Sequence, residues 1–201
     1  MIAHPRRFFG AHTHAPPGGF LGLNMNAAEL QALRRLLFFS VAEAARYLAA
    51  DAQRPDGVEE RTWNRWEAGK MPVPPNIAKV VADMVEYRET VLQELNARLI
   101  QQEANEAGFL HLPWCVDPGD WLHAMRQWRP HQSAQAAALA HWPRQLKLLE
   151  LDAVVYHGWR RVLALRDGLE NTQDSDAMRE RWAADCGRAA RRAEHTPPEV
   201  F

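Results

Sequence analysis

Thr62-Trp63-Asn64-Arg65-Trp66-Glu67-Ala68-Gly69-Lys70 reads as one short helix closed by a glycine. At about 100° per residue, Trp63 and Trp66 share one face, and Arg61, Asn64, Arg65 and Ala68 lie on the opposite one. Gly69 suits the left-handed position just past a helix C-terminus, and Pro72, Pro74 and Pro75 forbid continuation. A small helix is thus anchored by two indoles and turns arginine and asparagine outward. A helix that reads the major groove needs that chemistry: arginine for guanine, asparagine for adenine, and a small residue where the backbone comes close. A surface helix with a tryptophan anchor is the plainer alternative, and the flanking segments decide between the two.

Upstream, Asn26 and Glu29 have the spacing of a capping box. Leu30, Leu33 and Leu37 then form an inward stripe. Arg34 and Arg35 are candidates for phosphate contact, although a solvated surface is the commoner fate of such side chains. Ser40 and Glu43 make a cleaner capping box, followed by Val41, Ala44, Ala45 and Leu48 facing inward. The small alanines let a third helix cross closely. Asp51-Ala-Gln-Arg-Pro-Asp-Gly57 is turn chemistry, and the third helix runs from about Val58 to Ala68. Two capped helices, a turn and a tryptophan-anchored third helix make a helix-turn-helix arrangement.

The chain of 201 residues has room for one or two small domains. Its hydrophobic share of 47% suffices for a core. The net charge of -1 supplies no global field toward nucleic acid or membrane, so any nucleic-acid binding rests on a local patch. Cys115 and Cys186 are far apart and form no disulfide framework, which points to a reducing compartment. No apolar run approaches membrane-spanning length, and no apolar stretch follows Arg6 and Arg7 as in a secretory signal. The expectation is a cytoplasmic protein.

Residues 1–24, rich in Pro, Gly and His, read as a disordered extension. A flexible tail explains His4, His12 and His14 more simply than weak metal binding, and Met25 is a candidate start. A helical pattern runs from Pro75 to about Ala104. It reads as a spine whose first half covers the helix-turn-helix core and whose second half meets a partner chain, with packing inside one chain as the alternative. Gly108 ends it. Phe109–Leu112 and Gln145–Leu151 look like short strands. Asp117–Gln127, Ser133–Trp142 and Asp152–Leu165 look helical, and Trp128-Arg129-Pro130-His131-Gln132-Ser133 looks turn-like. The indoles Trp114, Trp121, Trp128, Trp142 and Trp159 read as core. Residues 166–173 read as a polar linker and Asp174–Glu194 as a charged helix, whose Arg179, Arg181, Arg188, Arg191 and Arg192 are weaker phosphate candidates. Thr196–Phe201 reads as frayed. No paired-carboxylate site, phosphate loop, nucleophile motif or metal-ligand spacing stands out, so neither enzyme chemistry nor a cofactor is expected.

The segment Trp63-Asn64-Arg65-Trp66-Glu67-Ala68-Gly69-Lys70-x-x-x-Pro74 resembles the W-E-x-G-K-x-x-P signature of lambda-repressor-like (Cro/CI, Xre-type) regulators. With Met25-Asn26-Ala27-Ala28-Glu29-Leu30-Gln31-Ala32-Leu33-Arg34, it resembles the YdiL-like family of small helix-turn-helix proteins, which includes anti-CRISPR-associated repressors. The likeness is good over about 25–100, loose over 109–160 and absent at both ends. It implies a mainly α (α+β overall) fold: a lambda-repressor-like helix-turn-helix domain over 25–105 with a long spine helix, then a small α+β dimerisation unit over 109–165 and a charged linker and tail over 166–201. It implies a homodimer that binds double-stranded DNA at an inverted repeat, with RNA as the alternative ligand.

By position, Arg61, Thr62, Asn64 and Arg65 fall where the family's reading helix meets DNA. Trp63 and Trp66 match its core, and Glu67 a position that braces the fold; Gly69 closes the helix. Arg34, Arg35, Arg46, Arg54 and Lys70 are the expected phosphate grip. One departure is the turn holding Gln53-Arg54-Pro55-Asp56-Gly57, which is longer than is usual in the family. Glu59 and Glu60 at the start of the helix would repel DNA if they face it. A protein–protein adaptor of antitoxin type is the rival of another class.

Overall fold

The computed structural model describes residues 24–104, 108–167 and 173–195. The readings made for residues 1–23, for most of the 166–173 linker, for the side chains of Arg191 and Arg192 and for Thr196–Phe201 lie outside them. The described chain is mainly helical with one small sheet. Among the described residues, no helix is long and apolar enough to cross a membrane.

Helix α1 (Ala27–Leu36) opens on the expected capping box: Asn26 accepts from the Glu29 amide at 2.9 Å, and Glu29 accepts from the Asn26 amide at 2.8 Å. It ends in a Schellman arrangement, with Phe39 N–H donating to the Arg34 carbonyl and Phe38 N–H to the Arg35 carbonyl. The left-handed position there is held by Phe38, at φ +64°, where glycine is usual. Helix α2 (Val41–Glu43) starts on the second capping box, Ser40 with Glu43. It continues directly as a wider π-helical turn over Ala44–Leu48. Ala44, Ala45 and Leu48 are buried as expected.

The long turn docks back onto this element. Asp51 accepts from the amides of Gln53 and Arg54 and from the Arg54 guanidinium. Val58 N–H donates to the Ala45 carbonyl at 3.0 Å. Gly57 sits at φ +80°, where a Cβ would stand 2.2 Å from the Ala45 carbonyl oxygen. Only glycine fits that backbone and that approach. The extra turn residues are therefore a fixed strut between α2 and α3 (Glu60–Glu67).

Helix α4 (Pro75–Ala104) has Pro75 at its first position, where the missing N–H costs nothing. Its first half covers the α1–α3 core, burying Ile77, Ala78 and Val81 with Leu30, Leu37, Leu48, Trp63 and Trp66. Its second half packs within the same chain, as in the alternative reading. Val91, Leu95 and Leu99 are buried with Leu112, Ala134, Ala138 and Leu146. Strand β1 (Leu110–Trp114) pairs in parallel with β2 (Leu146–Glu150), Leu110 opposite Leu146 and Trp114 opposite Glu150.

Between the strands, residues 125–141 form one helix, α5 (Met125–His141), preceded by a 3-10 turn at Pro118–Asp120. This corrects the two shorter helices, the Ser133 cap and the turn at 128–133. Pro130 lies inside α5, and burial of Trp128, Gln132, Ser133, Ala134 and Ala138 holds the helix despite it. Helices α6 (Ala153–Asp167) and α7 (Asp176–His195) follow. A third cluster joins them to the strands through Cys115, Trp128, Leu151, Tyr156, Trp182 and Ala183.

Gly57→Ala forces a β-carbon into backbone atoms and should destabilise the fold by about 1–3 kcal/mol. Urea denaturation followed by circular dichroism measures this; an unchanged midpoint would show that the turn does not lean on Ala45.

Candidate nucleic-acid interface

The face of α3 is set by what its other side is bonded to. Trp63 and Trp66 are 0% and 3% exposed, and their rings meet edge to face with centroids 5.6 Å apart. The Trp63 indole N–H donates to Glu67 Oε1 at 2.6 Å. The same carboxylate receives Arg34 Nε at 2.5 Å and Arg34 Nη2 at 3.1 Å, while Arg34 Nη1 donates to the Phe39 carbonyl at 2.8 Å. Gln31 reaches Glu67 Oε2 at 3.5 Å. Burial works to raise the Glu67 carboxyl, but the hydrogen bonds from Arg34 and Trp63 and the Arg34 charge outweigh it and hold the group below its ordinary range. Glu67 thus braces the fold by fixing α1 to α3.

Arg34 is consequently removed from the phosphate grip. Its guanidinium is buried, and its donors point into the protein. Arg54 is exposed but tied to Asp51 at 2.9 Å. The remaining expected residues are placed differently. Arg35, Arg46, Arg61, Asn64, Arg65 and Lys70 are all exposed, and Thr62 is half-buried. Arg46 lies over the Tyr47 ring, 5.4 Å from its centroid. Gly69, at φ +67°, closes α3 in a Schellman arrangement in which Lys70 N–H donates to the Arg65 carbonyl at 2.9 Å. Lys70 follows that closure directly and is exposed. Glu59 and Glu60, also exposed, stand at the N-terminus, where they suit the helix dipole.

Sequence reasoning missed the clamp that holds this unit to the rest of the chain. Arg126 Nε donates to the Tyr47 carbonyl at 2.9 Å, and its Nη2 donates to the Ala50 carbonyl. It satisfies carbonyls that the end of the π-helical turn leaves open. Arg129 grips Glu43 at 2.6 and 3.0 Å while stacking over the Trp128 ring at 3.9 Å. Ser133 donates to the Leu36 carbonyl and accepts from Arg88 Nε. A cavity of about 440 Å³ is lined by α4, β1, the segment 115–123, α5 and α7 and by no residue of α1–α3.

The family model described as Aca2/YdiL-like matches residues 25–146. The chain belongs to the Aca2/YdiL-like family. It is similar to the Aca2 repressor of Pectobacterium phage ZF40, 30% identical over 114 residues that make up 56% of this chain and 90% of that protein. It is also similar to the uncharacterized protein YdiL of Escherichia coli strain K12, 28% identical over 122 residues, 58% of this chain and 95% of that protein. The matched family segment contains α1–α5 and ends at the start of β2, so α6 and α7 lie beyond it.

Glu67→Ala should cost about 3–5 kcal/mol, because it strands a buried guanidinium. Glu67→Gln separates charge from shape. Because the folded carboxyl titrates below the usual 4.5, its contribution is present above that value and lost as pH falls below it. Stability of the Gln variant should fall less steeply than that of the parent below pH 4.5. Parallel acid limbs in thermal melts would refute the assignment.

Proposed function

We propose that this chain is a sequence-specific DNA-binding transcriptional regulator, an autorepressor that binds an inverted repeat as a homodimer through a lambda-repressor-like helix-turn-helix. The observation that carries the reading is the division of α3. One side is locked by Trp63, Trp66 and Glu67, and the other offers Arg61, Asn64 and Arg65 to the exterior. The family supports it, since one relative is named a repressor.

In this reading Arg61 and Arg65 take guanine edges or phosphate. Asn64 takes adenine, and Thr62 takes backbone or a thymine methyl. Arg35, Arg46 and Lys70 supply the phosphate grip left after Arg34 and Arg54 are set aside. Two copies of α3 enter successive major grooves about 34 Å apart. The net charge of -1 agrees with a small local grip rather than a broad basic surface.

The test is a footprint on the intergenic DNA upstream of the reading frame, with the transcript leader as competitor. Protection of an inverted repeat is the expected result, and tighter binding to the leader would move the same helix to an RNA stem. Arg61→Ala or Asn64→Ala should weaken operator binding by about 1–3 kcal/mol. Arg35→Ala should lower the salt slope by about 0.9 if it neutralises one phosphate. Arg54→Ala should change little. Undiminished affinity in both α3 variants, with the fold intact, would remove the helix from the interface.

A further inference from the structure

The cavity of about 440 Å³ between the second half of α4 and the start of α7 has the volume of a small-molecule site. Val91, Leu95 and Leu112 give it an apolar floor, and Tyr87, Trp121 and His131 give it rings. The Trp121 and His131 rings lie 5.0 Å apart, centroid to centroid. Asp176, Arg179 and Glu180 come from α7, which lies beyond the matched family segment, so that segment alone does not supply every wall.

The charges around the cavity are unequally matched. Arg98 donates to both oxygens of Glu180 at 2.9 Å, and Arg179 to both oxygens of Asp174 at 3.0 and 2.7 Å. An anion would find both guanidiniums already engaged. Glu94 and Asp176 are left over. Among the described residues Glu94 makes no ion pair, and Asp176 meets the His123 ring at 2.8 Å but no lysine or arginine. Both carboxylates act on one point of the wall. The Tyr87 hydroxyl is held above its ordinary range by burial first, and then by the charges of Asp176 and Glu94. His131 brings no compensating charge: burial pushes its ring down to about 4, against the pull of Asp176 and Glu180, so it is neutral at physiological pH. Its Nδ1 is buried without a hydrogen-bond partner among the described residues, where buried polar atoms are normally paired.

We propose that this cavity binds a small organic cation, an ammonium group on an apolar body, with the charge held by Glu94 and Asp176 beside Tyr87 and Trp121 and the body laid on the floor of Val91, Leu95 and Leu112. Opposite charges attract more strongly across an apolar floor than in water. The faces of tyrosine and tryptophan rings favour the same sign of charge. The site stands apart from the DNA-binding reading, because α3 contributes nothing to it.

The experiment titrates the full chain, by calorimetry, with three probes of like shape: phenethylamine, 2-phenylethanol and 3-phenylpropionate, which are cationic, neutral and anionic. Phenethylamine should bind saturably at a single site and tighter than the alcohol by about tenfold or more, with the carboxylate weaker still. It should also move the Trp121 indole N–H signal in the NMR spectrum. Glu94 and Asp176 are exposed, so the double variant Glu94→Gln with Asp176→Asn should keep its melting temperature while its affinity for phenethylamine falls by about tenfold or more. Glu94→Gln alone should weaken binding in the same direction, which preserves the test if Asp176→Asn disturbs the start of α7. Glu59→Gln with Glu60→Gln removes as many charges away from the cavity and should change nothing. No saturable binding of phenethylamine, equal affinity for the three probes, or an equal loss in the two double variants overturns the proposal.

Discussion

The Glu67 carboxylate is the point on which the orientation of α3 depends. It collects the Trp63 indole N–H and two donors of Arg34, so two side chains from two helices converge on one pair of oxygens. Hydrophobic burial alone is non-directional. Two tryptophans in a core would keep α3 attached while leaving its rotation loose. The hydrogen bonds remove that freedom, because a buried guanidinium without its carboxylate is costly. With the indole side fixed in this way, Arg61, Asn64 and Arg65 have a defined direction outward. The same bonds explain why one arginine of the pair at 34 and 35 is unavailable to any ligand and the other is exposed.

A second set of contacts keeps this unit from moving independently of the rest. Helix α5 places Arg126, Arg129 and Ser133 against the open carbonyls and Glu43 of the α1–α2 region. Glu43 serves both the Ser40 capping box and Arg129, and although burial works to raise its carboxyl, these partners hold it below its ordinary range. Because α5 also packs along the second half of α4, the spine is gripped at both ends by elements of its own chain. The position of α3 is thereby linked to the sheet and to whatever the sheet side of the molecule binds.

Much of this was legible in the residues, and the exceptions have physical reasons. The two capping boxes, the Gly69 closure and the inward indoles are local signals, and each is found where its pattern points. Arg34 is expected at the surface by its charge, and the structure buries it. It lies about 40° from Leu30 on the same wheel, just beyond the edge of the apolar arc, close enough for its head group to be drawn inward to a buried partner. Its partner, Glu67, is 33 positions away and carries no local mark. Phe38 in a left-handed conformation has no signature in sequence, since the expected residue is glycine. The turn expected at 128–133 is instead helix, because packing against α4 outweighs the local preference of Pro130. The parallel sense of β1 and β2 follows from the α5 crossover, which became visible only as one continuous helix.

The part beyond residue 146 has its own logic. Its core is knit by a polar knot, in which the Tyr156 hydroxyl donates to Asp174 at 2.6 Å and Arg179 holds the same carboxylate at 2.7 and 3.0 Å. Helix α7 lies so close to β1 that a side chain on Gly187 would enter the His111 ring. That seat fixes α7 firmly and leaves α6 resting on it by one face. A soluble surface helix normally turns charged and polar residues to its free side. Here the free side carries three valines and a leucine, while the arginines keep to the flanks and the second half. Helix α7 is part of the packing around α4 and α5, with Trp182 buried beside Trp128 and Cys115 and Glu180 paired with Arg98 of α4 at 2.9 Å.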